Sequence, residues 1–209
     1  MLQVVEIPVT PFQQNCTLLI CTETRQAAVC DCGDAGPVLA AIAEHQVEVK
    51  LILATHGHLD HIGGTAALQA ELGVPFLFPF EDDFWRLALP QQAAAYGFPA
   101  IEVPEPDGEL VHGQIVEIGA LRLEVRHCPG HTPGHVVFYE PESGTLIAGD
   151  VIFQGSVGRT DFPRGSWPEL ERSIKEQVYT LPAETKIHCG HGPTTTVGQE
   201  ARSNPFVRA

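Results

Sequence analysis

Positive charge is scarce in this chain. Its 209 residues carry 12 Lys+Arg against 26 Asp+Glu, a formal charge of −14. Phosphate binding needs basic surface, so nucleic acid is not expected as a partner. Long apolar runs are missing as well. The longest, Val74 to Phe80, is interrupted by Pro75 and Pro79 and falls well short of the about 18 residues of a membrane span. Met1–Pro8 has no basic segment and carries Glu6 early, which does not read as a secretory signal. The expectation is a cytoplasmic protein without membrane contact. Cys-x-x-Cys pairs are absent too. Cys30 and Cys32 are too close for an unstrained bridge and lack the spacing of a zinc knuckle. The six cysteines therefore read as buried reduced thiols. No linker and no clear repeat divides the chain, so 1–209 is expected to be a single domain.

What is present is ordinary globular material, 44% apolar and 18% charged. Leu2–Ile7, Cys16–Cys21, Ala27–Asp31 and Val49–Ala54 read as strands. Asp34 to Pro37 opens a helix, Thr55–Gly64 reads as a loop, and Thr65–Leu72 is helical. Residues 81–98 read as helical segments interrupted at Pro90, and 102–109 as a solvated acidic loop. Ile115–Ile118 and Leu121–His127 form a hairpin, followed by strands His135–Tyr139 and Thr145–Ala148. Ser166 to Glu169 has the pattern of a capping box, and Leu170, Ile174 and Val178 give the helix after it an apolar face. Lys186–Cys189 is a last strand. Two strand-rich halves, each with helices, predict two sheets packed face to face with helices outside.

Histidine is in excess. Ten are present, and eight fall within 56–61, 127–135 and 188–191. The first group, His56-x-His58-x-Asp60-His61, follows a strand. Alternation in extended backbone turns His56 and His58 to the same side, and the turn after them brings Asp60 and His61 toward a second position. His131 lies in a Pro- and Gly-rich loop, Asp150 ends a strand, and His191 stands between two glycines. All are metal-capable types in strand-to-loop positions. Asp31, at a strand end, is a candidate to orient a metal-bound histidine. His135 reads as a neighbour of the site or a core residue. His127 and His188 are expected to pack inside, and His45 and His112 at the surface. Phe84, Trp85, Tyr96 and Phe98 read by default as core packing, with a pocket cap or dimer contact as alternatives.

The series His-x-His-x-Asp-His, Gly-His-Thr-Pro-Gly-His, Gly-Asp and Gly-His-Gly-Pro resembles the metallo-β-lactamase superfamily along nearly the whole chain. The resemblance implies a four-layer αβ/βα sandwich of the α/β class with a two-metal site between the sheets. It implies that His56, His58 and His131 hold one ion and that Asp60, His61 and His191 hold the other. Asp150 would bridge both. Two divalent cations in such a site make water acidic enough to attack near neutral pH, with Asp60 orienting it. Zinc is the expected metal, and His and Asp donors suit iron and manganese alike.

Phe153 to Gly165, Cys128 to Phe138 and the closing Asn204-Pro205-Phe206 are similar to the short, single-domain bacterial glyoxalase II-like hydrolases. That similarity implies hydrolysis of S-D-lactoylglutathione, or a related glutathione thioester, to D-lactate and glutathione in methylglyoxal detoxification. Full-length glyoxalase II adds a C-terminal helical domain that helps bind glutathione, and no such domain is expected here. Where those enzymes place Lys and Tyr after the bridging Asp, this sequence has Arg159 and Asp161. Arg159 could grip a substrate carboxylate or pair with Asp161. A persulfide dioxygenase, with one iron at His56, His131 and Asp150, is the runner-up. A lactonase and a non-catalytic metal-binding module follow. A monomer and a homodimer are equally compatible with the sequence.

Overall fold

The apolar runs of the first half pair into one sheet and those of the second half into another. The computed structural model describes residues 1–209. Its first sheet contains β1 (Leu2–Val9), β2 (Gln14–Cys21), β3 (Gln26–Cys30), β4 (Glu48–Leu53), β5 (Phe76–Phe78) and β6 (Gly108–Glu109), adjacent in that order. β1 to β3 are antiparallel and β3 to β6 parallel. The parallel pairs need crossovers, and α1 (Ala35–His45) supplies the first. Between β4 and β5 the chain forms α2 (Leu59–Ile62) and α3 (Thr65–Leu72). α4 (Asp83–Leu87) and α5 (Leu89–Tyr96) follow β5.

The second sheet contains β7 (Ile115–Ile118), β8 (Leu121–His127), β9 (Val136–Glu140) and β10 (Thr145–Gly149), the last beside strands from the C-terminal part. A small hairpin, β11 (Ile152–Phe153) and β12 (Ser156–Val157), and then α6 (Trp167–Ser173) precede β13 (Lys186–Cys189). β14 (Thr195–Thr196) and α7 (Val197–Ser203) close the chain. No helix is long and apolar enough to cross a membrane.

Period-two alternation sorts the core into layers. Leu19, Leu51 and Leu53 of the first sheet meet Leu123, Val125, Phe138 and Ile147 of the second. The alternate residues Leu18, Ile20 and Ile52 face outward onto Val38, Ile62 and Leu68 of α1 to α3. Likewise Val137, Leu146 and Ile187 face Leu170 and Ile174 beyond the second sheet. The result is the expected αβ/βα sandwich. β8, β10 and β13 run the same way, as do β3 and β4. Val136 N donates to Thr55 O at 2.8 Å and ties the two sheets together where β4 ends.

Several local expectations differ from the structure. The 55–64 segment is not all loop, because Leu59 and Ile62 bury themselves against α5 and the first core layer and wind it into α2. The helical break lies at Ala88, and Pro90 sits in the first turn of α5, where its missing N–H is harmless. Ser166 takes the N-cap position, but its side chain makes no capping bond. Its backbone N donates instead to Gly130 O at 2.8 Å. Gly130, at φ +136°, fits so closely that a Cβ there would lie 2.3 Å from Leu170 N. Backbone contact thus seats α6. The helix continues as a wide π turn over Ile174–Val178, still burying Leu170, Ile174 and Val178. β5, β6, β11, β12 and β14 are two or three residues long, too short for periodicity to reveal. All six cysteines are buried and free, as expected.

Candidate metal centre

The loops after β3, β4, β8, β10 and β13 meet at one edge of the sandwich. Asp31 leaves β3, His56 to His61 follow β4, His131 follows β8, Asp150 follows β10 and His191 follows β13. Three overlapping groups of donors result: His56, His58 and His131; His56, His61 and Asp150; Asp60, His61 and His191. Within each group the ligand atoms lie no more than 4.8 Å apart. The seven residues singled out in the sequence are therefore neighbours in space.

Hydrogen bonds decide which ring nitrogen each histidine presents. His131 Nδ1 donates to Arg159 O at 2.7 Å, and His191 Nδ1 to Phe12 O at 3.2 Å. His61 Nδ1 donates to Asp31 Oδ2 at 3.0 Å. Thr55 Oγ1 gives its proton to Asp31 Oδ2 at 2.8 Å, so it accepts from His56 Nδ1 at 3.0 Å. With each Nδ1 proton held outward, Nε2 is the ring nitrogen that all four turn to the centre. His56 Nε2 and His131 Nε2 both lie 3.0 Å from His58 Nδ1, where a single proton is all that three nitrogens can share. His191 Nε2 lies 3.2 Å from Asp60 Oδ2, and His61 Nε2 lies 3.3 Å from Asp150 Oδ1. His61 Nε2 and Asp150 Oδ1 are buried without a hydrogen bond to satisfy them geometrically. Imidazole nitrogens and carboxylates that converge in a buried pocket need protons or cations between them, so the residues fit divalent ions.

The electrostatics agree. Burial, reinforced by the crowd of neighbouring imidazoles, pushes His56 well down and His58 down to about 3. Burial alone would raise Asp150, but His61, His131 and His191 outweigh it and hold its carboxyl far below the usual range. His61 and His191 behave in reverse. Burial pushes them down, and the carboxylates of Asp150 and Asp60 more than compensate, Asp31 adding to the effect at His61. A cation entering the second group displaces those protons, so metal uptake there releases acid.

Two carboxylates outside the ligand set hold it in place. Asp31, at φ +62°, stands in the left-handed region that Asp tolerates better than most residues. It accepts from Thr55 N at 2.7 Å as well as from Thr55 Oγ1 and His61. Asp31→Asn would put an amide N–H against His61 Nδ1 and force the proton onto Nε2, the ligand atom. We expect this variant to bind its second ion about 10- to 100-fold more weakly, measured by chelator competition. Unchanged affinity would exclude the tautomer role.

The second carboxylate is Asp82, which no sequence motif marks. It is fully buried and accepts from Gly57 N at 3.0 Å, Thr132 Oγ1 at 2.6 Å and Gly134 N at 2.6 Å. One side chain thus clamps the His56–His58 loop to the His131–His135 loop. Nothing in Glu81-Asp82-Asp83 distinguishes it from its solvated neighbours, because its three partners lie far away along the chain. His135 lies beside the donor set. Its Nε2 accepts from Asp150 N at 3.0 Å, and its ring stacks on His56 at 4.7 Å. His127 and His188 are only half-buried and anchor loops, His127 donating to Pro133 O and His188 pairing with Glu6, each at 2.7 Å.

Arg159 is not a free substrate clamp. Two of its guanidinium nitrogens donate to Asp161 at 2.6 Å each, and the guanidinium lies over Phe162 at 4.2 Å. Its backbone carbonyl, which holds His131, is what serves the donor set. Above the donors opens a cavity of about 540 Å³ with Phe12, Trp85, Tyr96, Phe153 and Phe162 among its walls.

Residues 9–191 match the family described as the Metallo-beta-lactamase superfamily. The chain belongs to that superfamily. It is 42% identical over 205 residues to the hydroxyacylglutathione hydrolase GloC of Haemophilus influenzae, covering 97% of each chain. Among solved structures, BLEG-1 B3 metallo-beta-lactamase superposes with a TM-score of 0.91 at 34% identity, covering 99% of this chain and 100% of that one. TTHA1623, solved in a di-iron-bound form, gives 0.89 at 38% identity over 98% of this chain and 100% of its own. With its donor set of His and Asp, this member of the superfamily is a metallohydrolase.

Proposed function

We propose that the chain hydrolyses a glutathione thioester, S-D-lactoylglutathione or a close relative, to a hydroxy acid and glutathione. The observation that carries this reading is the inward-facing set of imidazole nitrogens and carboxylates beneath an open cavity, in a chain so similar to a hydroxyacylglutathione hydrolase. In it, His56, His58 and His131 would hold one divalent ion, Asp60, His61 and His191 would hold a second, and Asp150 would serve both. Bound ions lower the pKa of water and polarise the thioester carbonyl. Asp60 orients the attacking water. No cysteine, serine or threonine lines the cavity to act as a nucleophile, and burial pushes the Cys32 and Cys189 thiols well up. The departing thiol leaves as thiolate and takes its proton from solvent. Zinc is the proposed metal, with iron or manganese accepted by the same donors.

The clustering of Asp60, His61 and His191 favours this reading over a persulfide dioxygenase, which needs a single iron. The test is a thioesterase assay on metal-analysed protein. Turnover of S-D-lactoylglutathione is expected to vanish on chelation and return with added metal. Oxygen uptake on glutathione persulfide, with one iron per chain, would replace the proposal.

A further inference from the structure

The walls of the cavity differ from its floor. Trp85 and Phe162 stand beside His58, with ring centroids 4.6 and 5.0 Å away, and 5.9 Å from each other. Beside the other donor group, Phe153 lies 6.1 Å from His191. Phe12 meets Tyr96 edge-on at 5.4 Å. Phe12 and Tyr96 are 40% and 55% exposed, so apolar surface is kept in water at the mouth. A thioester whose carbonyl sits over the donors has one aromatic wall on each side.

Charge is treated differently. Arg159 is the only Lys or Arg lining the cavity, and Asp161 engages it through two hydrogen bonds. A glutathione carrier brings two carboxylates and an ammonium. Its carboxylates find no unpaired cation at the walls, within a chain of net charge −14. Recognition then falls to the groups that flank the scissile bond, where burial against aromatic rings is favourable.

Resting on the thioester reading above, we infer that the cavity selects its substrate by the uncharged groups on either side of the scissile bond. It prefers an aromatic 2-hydroxyacyl group to lactoyl, and it does not read the charges of the thiol carrier. The experiment is kcat/KM of the metal-loaded chain for lactoyl and mandeloyl thioesters, each on glutathione and on uncharged N-acetylcysteamine. The mandeloyl group is expected to gain at least about fivefold, and the carrier swap to change kcat/KM by less than about fivefold. Trp85→Ala or Phe162→Ala should reduce the mandeloyl advantage. A smaller acyl preference, a larger carrier effect, or an advantage untouched by both variants overturns the inference and leaves the hydrolase reading intact. No turnover of any of these thioesters by metal-loaded protein overturns both.

Discussion

Asp150→Asn is expected to lower thioester kcat by about a thousandfold without unfolding the protein. The two oxygens of Asp150 serve different neighbours. Oδ1 lies 3.3 Å from His61 Nε2, while Oδ2 lies 3.6 Å from His131 Nε2 and 3.7 Å from His191 Nε2. Asparagine preserves the shape, but it removes the negative charge and turns one oxygen into an N–H donor that cannot ligate. One ion then loses its shared ligand, and elemental analysis should find at most one equivalent retained. The backbone is held independently, through Asp150 N donating to His135. Thermal unfolding of the metal-free variant should stay cooperative but fall below that of metal-free wild type, because the carboxylate facing His61 and His191 is lost. Full turnover with two bound ions would refute the shared-ligand assignment.

Asp82→Ala is expected to destabilise the metal-free protein by about 3 kcal/mol and to weaken metal binding as well. The substitution strands the Gly57 and Gly134 N–H groups in a buried site and frees two donor-bearing loops from each other. Asp82→Asn should fall between alanine and wild type. Its oxygen can accept from Gly134 and its amide can donate to Thr132, but Gly57 N–H loses its acceptor. A pH effect separates charge from shape. Burial lifts the Asp82 carboxyl to about 6, against the pull of its three hydrogen bonds. The folded state then binds this proton before the unfolded state does, so the contribution to stability rises as pH falls through about 6 and shrinks as pH rises. Asp82→Asn should remove that slope when compared with wild type in urea melts across the same pH range. An alanine variant within about 0.5 kcal/mol of wild type would show that the clamp is not structural.

Much of this arrangement was legible beforehand because its signals are local. The short apolar runs Cys16–Cys21 and Val49–Ala54 mark buried strands whatever they pack against, and His56, His58, Asp60 and His61 lie within six residues. Elements of two or three residues were not legible, since they exist only where a neighbouring strand supplies hydrogen bonds. The capping-box pattern at Ser166 misled for a related reason. Contact of Gly130 with the first turn of α6 seats the helix, and the serine side chain is not used.

The types of donor, their strand-end positions and the two-sheet plan can all be read from the order of residues. These follow from residue chemistry and from repeats shorter than one element. The tertiary structure alone decided which nitrogen each histidine turns inward and that Asp82 binds two distant loops. It also decided that Arg159 is spent on Asp161 while its carbonyl holds His131. Such assignments depend on partners brought together by parallel strands, β3 with β4 and β10 with β13, whose loops open at the same edge. A chain read one residue at a time carries the donors, and only the closed sandwich supplies their acceptors.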